Sequence, residues 1–212
     1  MKYLLGPIHF IATLLVLLIS SLVMANPNPK AMAKEMVKVI ERLQWSNHCE
    51  GFVNANNIGP WGEHILKSMN RVSYPELYRS TPDLINTCPN FDNLKDAEKD
   101  YVWVMVLTAM AFFESSCNRS AKAAGPNGIA QGLMQLHLNN EQYYSDGCVR
   151  GDSLQTNLTL SCSLSMINSQ LRREEKLFSQ KSYWEVLRPI SPSDKAKNIA
   201  WSLMLLPLCQ KK

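Results

Sequence analysis

The sequence lacks several features that would have pointed to a function class. It has no dense lysine and arginine cluster, although 22 basic residues stand against 18 acids for a formal charge of +4. A nucleic-acid surface is therefore not expected. There is no Cys-x-x-Cys and no His-x-x-x-His, and His48, His64 and His137 are scattered, so a metal site is not expected and no cofactor is called for. No internal repeat or low-complexity tract is present. The apolar stretch from Phe10 to Met24 is shortened by Pro7 and His9 below the ~20 residues a spanning helix needs. Cys49 is the first cysteine, which leaves nothing near the N-terminus to carry a lipid.

What is present at the N-terminus reads as a leader. Lys2 precedes the apolar stretch, which closes on Val23-Met24-Ala25 before Asn26, a small-residue cleavage pattern. Residues 1–25 are accordingly expected to be a signal peptide, and 26–212 one domain, a monomer that is secreted or periplasmic and has no stable membrane anchor once the leader is cut. All six cysteines, Cys49, Cys88, Cys117, Cys148, Cys162 and Cys209, lie beyond the leader. An even number in an exported chain predicts three disulfides, with the pairing left open.

Periodicity predicts a mainly helical fold. Met36, Ile40 and Leu43 form one face of a helix over 30–44, opposite Lys34, Lys38 and Glu41. A second helix starts near Pro60, carries Ile65, Leu66 and Met69, and runs until Tyr74-Pro75. From Pro75 to Asn90 the prolines predict turns and fragments. A long helix capped by Asp92 or Asn93 turns apolar from Tyr101 to Phe113, and an all-round apolar helix belongs in the middle of a domain. The cluster Gly125-Pro126-Asn127-Gly128, with Gly132, predicts a small extended lobe between about 120 and 150. Leu160, Leu164, Ile167, Leu171 and Phe178 then form a stripe. A last helix, capped by Ser193 or Asp194, carries Ile199, Trp201, Leu203 and Leu206.

Glu114 follows Phe112-Phe113 at the end of the apolar helix. Desolvation and the negative end of the helix dipole should both raise its pKa, as a general acid requires. An exposed helix-terminal glutamate would have the same local sequence. The downstream residues decide between the two. Glu114-Ser115 is followed by Gly128-Ile129-Ala130-Gln131-Gly132-Leu133-Met134-Gln135, and then by Asp152, Asn157 and Leu158. This order resembles the soluble lytic transglycosylase family over about residues 95–175. The resemblance implies a lysozyme-like α+β fold, in which a helical domain around a buried central helix and a small β lobe form a cleft for peptidoglycan glycan strands. It implies cleavage of the β-1,4 bond between N-acetylmuramic acid and N-acetylglucosamine, leaving 1,6-anhydro ends. Glu114 takes the role of acid and then base, Ser115 orients it or the sugar, and Gly132, Leu133, Met134 and Gln135 line the cleft. Gln131 and His137 are weaker candidates for the cleft.

Two departures from the family pattern stand out. About three more residues separate the glutamate from Gly132 than the family usually has, in the turn from Gly125 to Gly128. The family's later Ala-Tyr-Asn motif, whose tyrosine bonds the glutamate, is absent; Tyr183 of Tyr183-Trp184 either takes its place at the substrate or belongs to a core aromatic pair, with Tyr143 and Tyr144 as further candidates. Between Ser115 and Asn140 there is no Asp or Glu, which favours an intramolecular attack over a two-carboxylate hydrolysis. The alternatives are a hydrolytic lysozyme on the same or a deacetylated glycan, with Glu141, Asp146 or Asp152 as second carboxylate, and a non-catalytic secreted glycan-binding or inhibitory module. The sequons at Asn118 and Asn157 would suit a eukaryotic secreted protein.

Overall fold

The computed structural model describes residues 27–45, 47–55, 57–125 and 127–211; the expected signal peptide lies outside them. Among the described residues the fold is mainly helical with two small antiparallel sheets. Its axis is the longest described helix, which is α4 in chain order and spans Asp96–Ser115. Every residue of α4 from Tyr101 to Ala111 is buried, so the all-round apolar pattern does mark a central helix. Two polar side chains within that run have backbone partners. Trp103 Nε1 donates to the Leu77 carbonyl at 2.6 Å and Thr108 Oγ1 to the Val104 carbonyl at 2.7 Å. The N-cap is Lys95, whose backbone N–H is held by Glu98 at 2.8 Å. Asp92 and Asn93, expected as caps, belong to a separate 3₁₀ turn, Phe91–Asn93, and the extended residues Leu94 and Lys95 intervene.

The other helices wrap this axis. α1 (Pro29–Arg42) buries Ala33, Met36 and Val39, so its seam is rotated from the expected one and leaves Ile40 and Leu43 half-buried. α2 (Pro60–Ser68) stops well before Tyr74, because Met69 turns extended. The proline-rich stretch after it contains a short helix, α3 (Pro82–Thr87). α5 (Thr156–Glu174) turns Leu160, Leu164, Ile167 and Leu171 inward, while Phe178 lies past its end, beyond the left-handed Glu175. α6 (Lys195–Met204) buries Ile199 and Leu203 and leaves Trp201 45% exposed, on the outer face. Its N-cap is Asp194, whose carboxylate pairs with Lys197 at 2.7 Å and does not cap the helix.

The expected lobe is present. β3 (Lys122–Gly125) and β4 (Gly128–Gln131) form an antiparallel hairpin, and β4 also pairs with β5 (Leu136–His137). Gly125 faces Gly128, and the Asn127-Gly128 step leads into β4 with Gly128 at φ +112°. A second hairpin, β1 (Val53–Asn54) with β2 (Asn57–Ile58), has no alternating pattern to announce it.

Three disulfides close the structure. Cys49–Cys117 ties the 3₁₀ turn Asn47–Gly51 to the end of α4. Cys88–Cys209 joins the end of α3 to the C-terminal segment, and Cys148–Cys162 pins the region after the lobe to α5. No free cysteine remains among the described residues. No described helix is long and apolar enough to cross a membrane.

Candidate active site

The site is built on the last turn of α4. Trp45, just beyond α1, stacks on Phe112 with ring centroids 5.3 Å apart and meets Phe113 edge-on at 5.8 Å. These rings cover the flank of the helix as it emerges from the core, and Glu114 comes next, half-buried. Burial pushes its carboxyl up to about 7, with smaller effects from Lys195, which lowers it, Glu185, which raises it, and Arg188, which lowers it. The negative end of the helix dipole acts in the same direction as burial. No hydrogen bond from a described residue reaches the Glu114 carboxyl. A desolvated acid without an internal partner is held ready to give its proton to something that arrives from outside.

The chain leaves α4 abruptly. Ser116 and Cys117 both take left-handed backbone, at φ +52° and +58°, and Cys117 is anchored to Cys49. Two successive non-glycine residues there store strain that the disulfide and the backbone bonds from Ser116 to Phe112 and from Cys117 to Ala111 hold in place. Ser115 turns inward: its hydroxyl lies 2.8 Å from the Leu133 carbonyl and 3.1 Å from that of Ala111, splicing the end of α4 to the lobe. Its hydroxyl proton is committed to these carbonyls.

The segment expected to line the cleft forms a frame instead. Gly132 is buried at φ +78°, and a Cβ there would lie 2.4 Å from the Ser153 carbonyl, so the backbone of this chain itself requires glycine. Leu133 and Met134 are core residues. Gln135 is left-handed at φ +48° and its side-chain amide donates to Gly132 and Ala121 carbonyls at 2.8 and 3.2 Å, bracing its own turn. Of the four, Gln135 alone has a polar side chain, and its Nε2 is committed to these two carbonyls. Their place in the chain follows from packing, because the turn they make carries β5 past the acid.

Tyr183 is brought to the site, but not onto Glu114. Its hydroxyl accepts the His137 backbone N–H at 3.0 Å and donates to the Gln135 carbonyl at 3.1 Å. His137 Nδ1 lies 3.1 Å from that hydroxyl and 2.9 Å from the hydroxyl of Tyr144, whose ring is 4.6 Å from Tyr183. The Tyr183 hydroxyl is pushed well above the usual phenol range, chiefly by burial, with the nearby charge of Glu114 among the lesser causes. Tyr183 is thus within electrostatic reach of the acid and hydrogen-bonded to the strand beside it. Tyr143 is turned to solvent.

None of the three carboxylates considered as second acids is among the charges that act on Glu114. Glu141 is fully buried and accepts the Ser153 hydroxyl and the backbone N–H groups of Gly151 and Ser153. Burial works to raise its pKa, but these donors outweigh it and hold the carboxyl below the usual range. Asp152 is buried too and accepts the Val149 N–H at 2.7 Å. Asp146 is exposed and exerts no effect on Glu114. The carboxylate whose charge does act on Glu114 is Glu185, which sequence reasoning missed along with Arg188 and Lys195. Glu185 is occupied by the hydroxyls of Ser191 and Ser193 and by Lys195 at 3.4 Å. Arg188 is tied to the carbonyls of Ser182 and Tyr183 at 3.0 and 3.2 Å. All three come from a stretch about 70–80 residues downstream of Glu114, with no periodicity or motif to link them to it.

Scanned against protein-family profiles, the chain matches none, and no curated protein matches it. Solved structures do match. Bd0314 DslA, wild-type form 2, superposes with a TM-score of 0.63 at 21% identity, covering 71% of this chain and 91% of that chain. Two glutamate-to-glutamine mutants of Bd0314 DslA superpose with the same TM-score, 0.63, at 21% and 20% identity. At such identity the likeness is one of fold.

Proposed function

We propose that this chain is an exported enzyme of the lysozyme-like superfamily, akin to the soluble lytic transglycosylases, that cuts the β-1,4 bond between N-acetylmuramic acid and N-acetylglucosamine in peptidoglycan. The observation that carries the reading is Glu114 itself: a half-buried carboxyl raised to about 7, unbonded by any described residue, at the mouth of the central helix. Three disulfides suit an oxidising compartment outside the cytoplasm.

In the proposed reaction, protonated Glu114 gives its proton to the glycosidic oxygen as the bond from that oxygen to C1 breaks. The resulting carboxylate then takes the proton of the 6-hydroxyl on the same muramic acid, and that oxygen bonds to C1. The acid is restored and a 1,6-anhydro end forms. Lys195 and Arg188 favour the carboxylate stage, and burial favours the acid stage. A pKa near 7 lets one group serve both steps at neutral pH.

A second reading, hydrolysis, has one observation in its favour, the charge of Glu185 beside Glu114. It is the weaker of the two, because serine hydroxyls and Lys195 already occupy Glu185 and leave it poorly free to activate water. Mass spectrometry of fragments released from purified sacculi separates the readings. Anhydro ends are expected. Reducing ends, heavier by one water, would replace the transglycosylase with a lysozyme using Glu185. No release at all would defeat both.

A further inference from the structure

The strained turn after α4 forms one wall of a cavity of about 520 Å³ whose lining includes His48, Trp61, Ser116, Asn118 and Arg119. Its floor is rigid. The Trp61 indole lies so close over Gly51 that a Cβ there would sit 2.3 Å from the ring, and Phe52 abuts it edge-on at 5.3 Å. The opposite wall is the Ser116–Arg119 turn, fixed by its two left-handed residues and by Cys49–Cys117. The lining contains no acidic residue. It is rich in donors that the fold leaves unused. Arg119 is exposed and makes no ion pair or hydrogen bond with a described residue, and the Trp61 indole N–H donates to none. The Asn118 oxygen accepts the Ser120 N–H at 2.9 Å, which leaves its amide nitrogen to donate elsewhere. Arg71, by contrast, has its aspartate, and Arg79 its glutamate.

A preformed hollow with an aromatic floor, several idle donors and an unpaired guanidinium fits a carboxylate on a compact organic body. We propose that this cavity binds the carboxylate end of a peptide branch carried by the glycan, with Arg119 as its charge partner and Trp61 as the surface under the peptide. The choice of ligand rests on the reading of the substrate as peptidoglycan, whose muramic acids bear peptides ending in carboxylates. The position suits such a branch, since Ser115 and Ser116, which line the cavity, directly follow Glu114.

The test compares intact sacculi with sacculi stripped of peptides by an amidase. The wild-type chain should cut the intact strands about tenfold faster, the worth of one charge-assisted contact. Arg119→Glu should bring that rate down to the naked-strand rate while leaving the naked-strand rate unchanged, and Arg119→Lys should keep part of the difference. Arg119 is exposed, so the variants should melt like wild type. Equal loss on both substrates, or none on either, would overturn the proposal. Isothermal titration with a free stem tetrapeptide and its amidated form gives a readout that does not depend on cleavage. Binding should vanish on amidation and in Arg119→Glu; equal binding of the two peptides, or none to wild type, also overturns it. If wild type cuts neither substrate, the cleavage reading fails and the titration alone decides the fate of the cavity.

Discussion

The two ends of α4 carry the same chemistry under opposite management. At its start, Asp96 pairs with Arg71, whose guanidinium also lies 5.0 Å over the Tyr78 ring, and the Tyr78 hydroxyl donates to Asp100 at 2.8 Å. Lys99, itself buried, donates to the Tyr78 carbonyl at 3.0 Å and rests 4.9 Å over Phe91. Each of these charged groups has a partner, and even so burial pushes the Asp100 carboxyl up to about 6. At the other end burial pushes Glu114 to about 7 and no hydrogen bond from a described residue offsets it. Similar desolvation therefore has different outcomes. Asp100 has its donor inside the protein, whereas Glu114 has none among the described residues, which is what the proposed catalytic role requires.

The largest effect expected from breaking this contrast is on activity. Glu114→Gln should lower fragment release from sacculi by about 10²–10⁴-fold, because the amide keeps the shape but cannot give the proton. Asp100→Asn should leave the rate within a few-fold. Equal losses from the two changes would mean that the ends of the helix are not functionally distinct.

Next in size is the clamp at the working end. Replacing both Cys49 and Cys117 with alanine opens a loop of 68 residues and should lower stability by about 3–4 kcal/mol in denaturant unfolding. The strained Ser116–Cys117 turn should relax with it, so activity should fall even at temperatures where the chain remains folded.

The pH dependence of stability sharpens the comparison further. The folded pKa of Glu114, about 7, stands above its ordinary value of 4.5, so ionisation favours the unfolded chain. The wild-type chain should lose stability as pH rises from 4.5 through about 7, with no further loss from this group beyond that. Glu114→Gln escapes the penalty. It should gain ~1–2 kcal/mol over wild type at about pH 8, after allowance for the partial exposure of the site, and gain nothing at about pH 4. Thermal melts at the two pH values check this, and an equal gain at both would place the effect elsewhere.

The smallest expected effect is at the start of the helix. Tyr78→Phe removes the donor to Asp100, so the Asp100 carboxyl should titrate still higher, and roughly 1 kcal/mol of stability should be lost near neutrality. Carboxyl NMR titration would follow the shift. No change in activity is expected.

Much of the architecture was legible before any coordinates. The unbroken apolar run over 101–113 could only be satisfied by surrounding it, which made it the central helix and left Glu114 at its exit. Clustered glycines marked the lobe, and an even cysteine count marked the disulfides. Boundaries were less legible where a local rule met a tertiary one. Asp92 is a good capping residue, but the chain needed Leu94 and Lys95 extended before the helix could begin. Phe178 continued a helical spacing that the left-handed Glu175 had already ended. Gly132 was legible as part of a motif, but the room its missing side chain makes for the Ser153 carbonyl was not.

The sequence by itself determined the apolar central helix and the place of Glu114 at its end, because those depend on residues within one stretch of chain. Only the tertiary structure decided what surrounds it. Glu185, Arg188 and Lys195 act on Glu114 across 71 or more positions of sequence, and Coulomb interactions through folded space leave no periodic trace in the chain. The same holds for Glu141: as a sequence symbol it was a candidate catalyst, and as a packed side chain it is spent on Ser153 and Gly151. A carboxylate's type is written in the sequence, but whether its lone pairs are free is settled by which donors the fold brings to it.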